Sequence, residues 1–197
     1  MDDVTAYLVI ALGCLLAGLA VVVLVARRRG RPTTAPGRRV AAGPSTDPRR
    51  IEVGDIVEIG DLSYRVRGSI RLVEGEWSWA EHLLDDDSGR PRLSVAESPE
   101  FALVLWEPQP GRVRTVGVPA VDVAGRRYDW HESGQARYTA TGLTGLPPTG
   151  TMRYHDYRAP GGARLTFEAY GEAGWEVALG RRLDEGDVTV HPQGRGS

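Results

Sequence analysis

Residues 76–85 read Glu76-Trp77-Ser78-Trp79-Ala80-Glu81-His82-Leu83-Leu84-Asp85, and their alternation decides the fold class. In an extended strand successive side chains point to opposite faces. The stretch therefore places Trp77, Trp79, Glu81 and Leu83 on one face, with Ser78, Ala80, His82 and Leu84 on the other. Working outward, Ser63 to Arg67 alternates around Tyr64 and Val66, and Phe101 to Trp106 is apolar on both faces, as a central strand is. Arg164 to Tyr170 sets Leu165, Phe167 and Ala169 against Arg164, Thr166 and Glu168. Trp175, Val177 and Leu179 repeat the pattern, and Val188 and Val190 close it. Turn sequences such as Asp87-Ser88-Gly89, Gln109-Pro110-Gly111 and Pro160-Gly161-Gly162 recur between these runs. No long amphipathic helical pattern follows Arg50. The expectation is an all-β domain over residues 51–197, built of antiparallel strands as a sandwich or barrel.

An internal echo accompanies this pattern. Val57-Glu58-Ile59-Gly60 followed by Tyr64 is matched by Val121-Asp122-Val123-Ala124 followed by Tyr128. Farther along, His82, Arg92-Leu93-Ser94-Val95 and Trp106-Glu107 are echoed by His155, Arg164-Leu165-Thr166-Phe167 and Trp175-Glu176. Two related halves would each leave one sheet face exposed, so pairing them would bury a shared core. Chance similarity among short β patterns is the alternative.

The net charge of -2 over 197 residues conceals three regions of opposite character. Asp2 and Asp3 precede an uncharged run from Val4 to Ala26; eight arginines face only Asp47 in residues 27–50; sixteen arginines face twenty-three acids in residues 51–197. The run spans about 35 Å as a helix, against a hydrocarbon core of roughly 30 Å. It reads as a transmembrane helix over 4–26. Its flanks are reversed relative to a secretory signal, and the box Ala11-Leu12-Gly13-Cys14 is a weak match to lipoprotein processing. Arg27, Arg28, Arg29 and Arg31 hold that end of the span on the cytoplasmic side, so residues 1–3 are expected outside and the domain inside. Those arginines are the lipid-proximal candidates, as a topology signal or as contacts with anionic lipid. Residues 27–50, with four prolines and almost no large apolar side chain, read as a disordered linker. One cysteine excludes a disulfide framework and a multi-cysteine zinc site. The acidic domain argues against nucleic acid and favours a basic protein partner.

Several of these residues together carry a family resemblance. Val53-Gly54-Asp55-Ile56-Val57, Gly60 with Tyr64-Arg65-Val66-Arg67-Gly68, Trp79-Ala80-Glu81-His82-Leu83-Leu84-Asp85, and Gly89 before Arg92-Leu93-Ser94-Val95 resemble the bacterial family called domain of unknown function 4178. The likeness is best over residues 51–107 and extends to about 191. It implies a bacterial protein of a family without an established activity, whose members tend towards envelope and membrane-stress settings. Arg92 stands where the family often has tryptophan.

Within the domain, Glu81 is the leading candidate, because a carboxyl on the Trp77 and Trp79 face has its pKa raised in dry surroundings and becomes an acid or a binding group. The alternative is a buried acceptor paired with a neighbouring arginine. Trp77, Trp79, Glu81 and His82 are thus the candidate ligand or partner residues. Asp85, Asp86 and Asp87 with His82 have metal-compatible chemistry, yet three acids before Ser88-Gly89 also describe a hairpin tip. No metal-ligand spacing, nucleophile elbow or phosphate-binding glycine loop occurs, so neither a metal nor another cofactor is expected and no catalytic residue is assigned. The expected function is a membrane-anchored binding or adaptor module without chemistry of its own. The alternative is a small-ligand-binding domain or enzyme using Glu81 in a tryptophan-lined cleft, and the two differ in whether a concave pocket gathers Glu81 with other polar groups.

Overall fold

A computed structural model describes residues 47–85, 90–111 and 116–193. Eleven strands run in chain order as β1 (Ile56–Ile59), β2 (Leu62–Glu74), β3 (Trp77–Asp85), β4 (Arg92–Ser98), β5 (Ala102–Pro108), β6 (Ala120–Val123), β7 (Arg126–Gly142), β8 (Thr149–Arg158), β9 (Ala163–Tyr170), β10 (Glu176–Leu183) and β11 (Val188–His191). Single 3-10 turns at Pro48–Arg50, Pro160–Gly162 and Glu185–Asp187 are the only helical pieces among the described residues. The all-β expectation therefore holds, and no described helix is long and apolar enough to cross a membrane. The expected span 4–26, Arg27, Arg28, Arg29, Arg31 and nearly all of the linker lie outside the described residues, as do Asp86 and Asp87.

Every pairing is antiparallel, in the order β11-β1-β2-β3-β4-β5-β10-β9-β8-β7-β6, and a further pairing of β2 with β7 closes strands β2 to β5 and β7 to β10 into an eight-membered ring. Ring closure resolves the choice between sandwich and barrel in favour of the barrel. It depends on β2 changing partners along its length: Leu62–Arg65 pairs with β1, and Gly68–Val73 pairs with β7. The register of β2 against β3 shifts between Val66 and Gly68, a bulge that bends the strand. At this bend Gly68 lies against the Leu143 backbone, and a Cβ there would come within 3.1 Å of the Leu143 carbonyl oxygen.

Beside a small cluster of Val104, Trp106 and Ala178, three larger apolar clusters follow from the topology. Outside the ring, β1 and β11 cover Tyr64, Val66, Leu84, Leu93, Leu103 and Leu105 with Val57, Val188 and Val190. On the other flank Val121, Val123 and Tyr128 of the β6–β7 hairpin pack on Tyr157, Leu165 and Phe167. The third, Ile70, Leu72, Leu83, Ala136, Tyr138 and Met152, draws on both halves of the chain.

The two halves run through similar five-strand meanders joined by β5–β10 and β2–β7. Val57 faces Tyr64 and Val121 faces Tyr128, so the first part of the sequence echo occupies equivalent hairpin positions. The later part does not share a register. Trp106 lies within β5 opposite Arg92, whereas Arg164 faces Gly180 and Trp175 precedes β10.

Leu84 and Leu165 are fully buried in different outer clusters. Each substitution to alanine is expected to cost about 2–5 kcal/mol. In urea denaturation the two variants should shift one common transition, because a closed ring cannot lose one flank while keeping the other; separate transitions would contradict that coupling.

Candidate functional site

Closure gives the sheet an inside, and the parity of each strand decides what enters it. On β3 the odd positions Trp79 and Glu81 line a cavity of about 730 Å³, while Leu84, on the even face, packs in the outer cluster. Ser94 of β4, Trp106 of β5, Asp156 of β8, and Thr166 and Glu168 of β9 also line it. Gly180 of β10 permits this packing, since a Cβ there would stand 2.4 Å from the Trp106 ring.

Arg92 is the buried cation of the site. Its guanidinium hydrogen-bonds Glu168 and lies 3.2 Å from the Glu81 carboxylate. Glu81 is 2% exposed and Glu168 4%, so one cation serves two carboxyls in a dry setting. Tyr170 donates to Glu168 at 3.3 Å. Trp106 Nε1 donates to Ser94 Oγ at 2.8 Å, and Ser94 donates to Glu81 Oε1 at 3.3 Å. Glu81 Oε2 completes no hydrogen bond, because the nearby Arg92 nitrogen is not aligned with it.

Electrostatics place a proton on this cluster. Burial pushes the Glu81 pKa up to about 8; Arg92 opposes this and Glu168 adds to it. For Asp156 burial is again the largest influence, although the residue keeps some surface on the cavity, and the pKa rises to about 7. The 2.6 Å bond from Thr166 opposes that rise, while Glu168 and Glu132 reinforce it. Burial works against the Arg92 cation, but Glu168 and Glu81 outweigh it and hold its pKa well above the ordinary value. Near neutral pH the site therefore holds the Arg92 cation, hydrogen-bonded to Glu168, beside a largely protonated Glu81 and a part-protonated Asp156. A neutral carboxyl can donate a hydrogen bond as well as accept one. Among the described residues no group of three or more His, Cys, Asp or Glu is placed to hold a metal ion.

The four sequence candidates have different fates. Glu81 lines the cavity and is buried beside the Arg92 guanidinium. Trp79 lines the cavity and packs edge-on against Tyr154, with ring centroids 6.1 Å apart. Trp77 lies at the rim, 56% exposed. His82 is also buried, but on the opposite face of β3, where Nδ1 meets Ser69 Oγ at 2.9 Å. Burial, and then Arg71, lowers its pKa to about 4, so it stays neutral and outside the cavity. Asp85 pairs loosely with Arg67 at 3.6 Å. Sequence reasoning missed Arg92, Asp156 and Glu168 as site residues. The signal for Glu168 was present in the polar face of Arg164 to Tyr170, which reads as solvent-facing until the ring closes over it.

Residues 52–185 match the family described as a domain of unknown function (DUF4178). Uncharacterized proteins of Mycobacterium tuberculosis and Mycobacterium bovis are each 37% identical to this chain over 201 residues, covering 93% of it and 94% of the relative. No solved structure matches.

Stability should fall as pH rises towards about 8, most steeply above 6.5, where His82 no longer offsets the loss. Glu81 and Asp156 are raised from 4.5 to about 8 and from 3.8 to about 7, so each contributes stability that is complete below its ordinary pKa, declines as pH rises, and is gone once pH has passed its raised value. His82, lowered from 6.5, has the opposite sign, and its contribution is lost as pH falls from 6.5 towards 4. Tm is expected to decline between pH 6.5 and 8.5, and Glu81→Gln should flatten the decline; an unchanged slope in the variant would remove Glu81 as its source. Arg92→Met, which strands Glu168 in the interior, should cost about 3–5 kcal/mol by chemical denaturation.

Proposed function

We propose that this chain, which belongs to the DUF4178 family, is a small-molecule-binding module that holds its ligand inside the β-ring. The observation that carries the reading is the cavity of about 730 Å³, with Trp106 on its wall and the protonatable pair Glu81 and Asp156 facing its interior. Ligand sites are typically concave, largely apolar, and furnished with a few convergent polar groups. Interior space lined by a neutral acid, two hydroxyls and an indole has that composition.

In this reading residues 4–26 fix the module to the membrane and Arg27, Arg28, Arg29 and Arg31 keep it on the cytoplasmic side. The uncharged run and the arginines after it support that placement. An adaptor for a basic protein is the second reading, favoured by the acidic excess of residues 51–197 and by the exposed Trp77 and Trp130.

The test uses the full chain in phosphatidylcholine nanodiscs and a small neutral aromatic probe, phenol, followed by saturation-transfer NMR. Binding is expected in the native chain and should be lost in Ala96→Trp, which fills the cavity from its lining and leaves Arg92, Glu81 and Glu168 in the chain. Equal saturation transfer in both proteins would overturn the cavity reading.

A further inference from the structure

Three arginines stand side by side on the cavity wall. Arg158 ends β8 and faces Arg164 at the start of β9. Arg164 in turn faces Gly180 of β10, and Arg182 lies two residues beyond Gly180 on the same face. All three line the cavity, on three adjacent strands. Like charges directly opposite each other destabilise a sheet. Here the repulsion is not relieved locally, since none of the three forms an ion pair among the described residues.

The electrostatic surroundings agree with the geometry. Burial lowers the Arg164 pKa, Arg158 and Arg182 lower it further, and only Asp156 and Glu132 oppose them. Asp156 is a weak counterion, because its own pKa is raised to about 7. Two of the acids that line the cavity have neighbours of their own. Glu74 accepts from the Gln135 N–H at 3.1 Å and from the Tyr154 hydroxyl at 2.8 Å, and Glu132 lies 3.7 Å from His131. The positive charge of the lining is thus confined to one arc, while Glu74, Glu76, Glu100 and Glu132 stand elsewhere on it.

Resting on the cavity reading, we propose that Arg158, Arg164 and Arg182 form an oxyanion subsite, and that the ligand is a phosphate- or carboxylate-bearing small molecule whose body extends inward to Trp106. A guanidinium presents a planar fork of donors that matches such anions bidentately, and Arg164, partly shielded by the wall, is the central contact. Deeper in, the Glu81 carboxyl supplies a hydrogen-bond donor that does not repel the anion.

Phenyl phosphate and phenol share a body and differ in the anion, so comparing them on the full chain in phosphatidylcholine nanodiscs isolates the subsite. Phenyl phosphate is expected to bind about tenfold tighter, a difference of about 1.4 kcal/mol. The advantage should vanish in Arg164→Gln, shrink in the exposed Arg158→Gln and Arg182→Gln variants, and persist in Arg126→Gln, which changes an exposed arginine outside the cavity. The milder variants keep the test valid if Arg164→Gln fails to fold. Displacement by inorganic phosphate assigns the subsite to a soluble ligand, whereas loss of phenyl phosphate binding only in phosphatidylglycerol nanodiscs assigns it to a lipid headgroup. Equal binding of the two probes would overturn the oxyanion subsite and leave the cavity standing. Binding of neither would remove the cavity reading and the subsite with it.

Discussion

The pairing of β2 with β7 is the constraint on which the rest depends. Each strand already has a neighbour on its other edge, β3 and β8 respectively, so this one contact converts an open sheet into a ring. Without closure, Trp79, Glu81, Ser94, Thr166 and Glu168 would sit on a solvated sheet face, where a carboxylate has no need of a buried arginine. With it they line a cavity, and each buried polar group needs a partner. Arg92, the Trp106–Ser94–Glu81 chain and the Thr166–Asp156 bond meet that requirement.

Those partners do not balance the charge. One buried cation lies between two carboxyls, and burial resolves the excess by keeping a proton on Glu81 rather than by recruiting a second arginine. The arginines that are available, Arg158, Arg164 and Arg182, lie instead on the cavity wall formed by β8, β9 and β10. The cavity is consequently asymmetric, with a neutral acid inside and a basic arc on one side. An interior filled only for stability would favour apolar side chains of similar volume, which commonly replace buried ion pairs without loss. Retaining polar groups around empty volume is the property on which the proposed binding site rests.

How far the sequence carried the reading varies by strand. The runs in β2, β3, β5, β9, β10 and β11 were legible, because each alternates or is continuously apolar over most of its length. Strands β7 and β8 were not. Arg126–Gly142 and Thr149–Arg158 are polar at most positions, and long stretches of β7 are exposed, so hydrophobic periodicity had nothing to register. The candidate face of β3 was placed correctly up to Glu81, but His82 belongs to the opposite side, as its parity required.

By itself, the sequence determined the all-β class, the odd-and-even partition of β3 and β9, and the family to which the chain belongs. These are local properties, set by side chains two residues apart or by the spacing within a strand and its turn. Only the tertiary structure decided which of the two faces became the inside. On β9 both did: Leu165 and Phe167 are buried under the β6–β7 hairpin, while Thr166 and Glu168 are buried in the ring. Alternation distinguishes one face from the other but carries no information about a strand that pairs from far along the chain, and it is that long-range pairing which brings Arg92 to Glu168 and turns a polar face into a cavity wall.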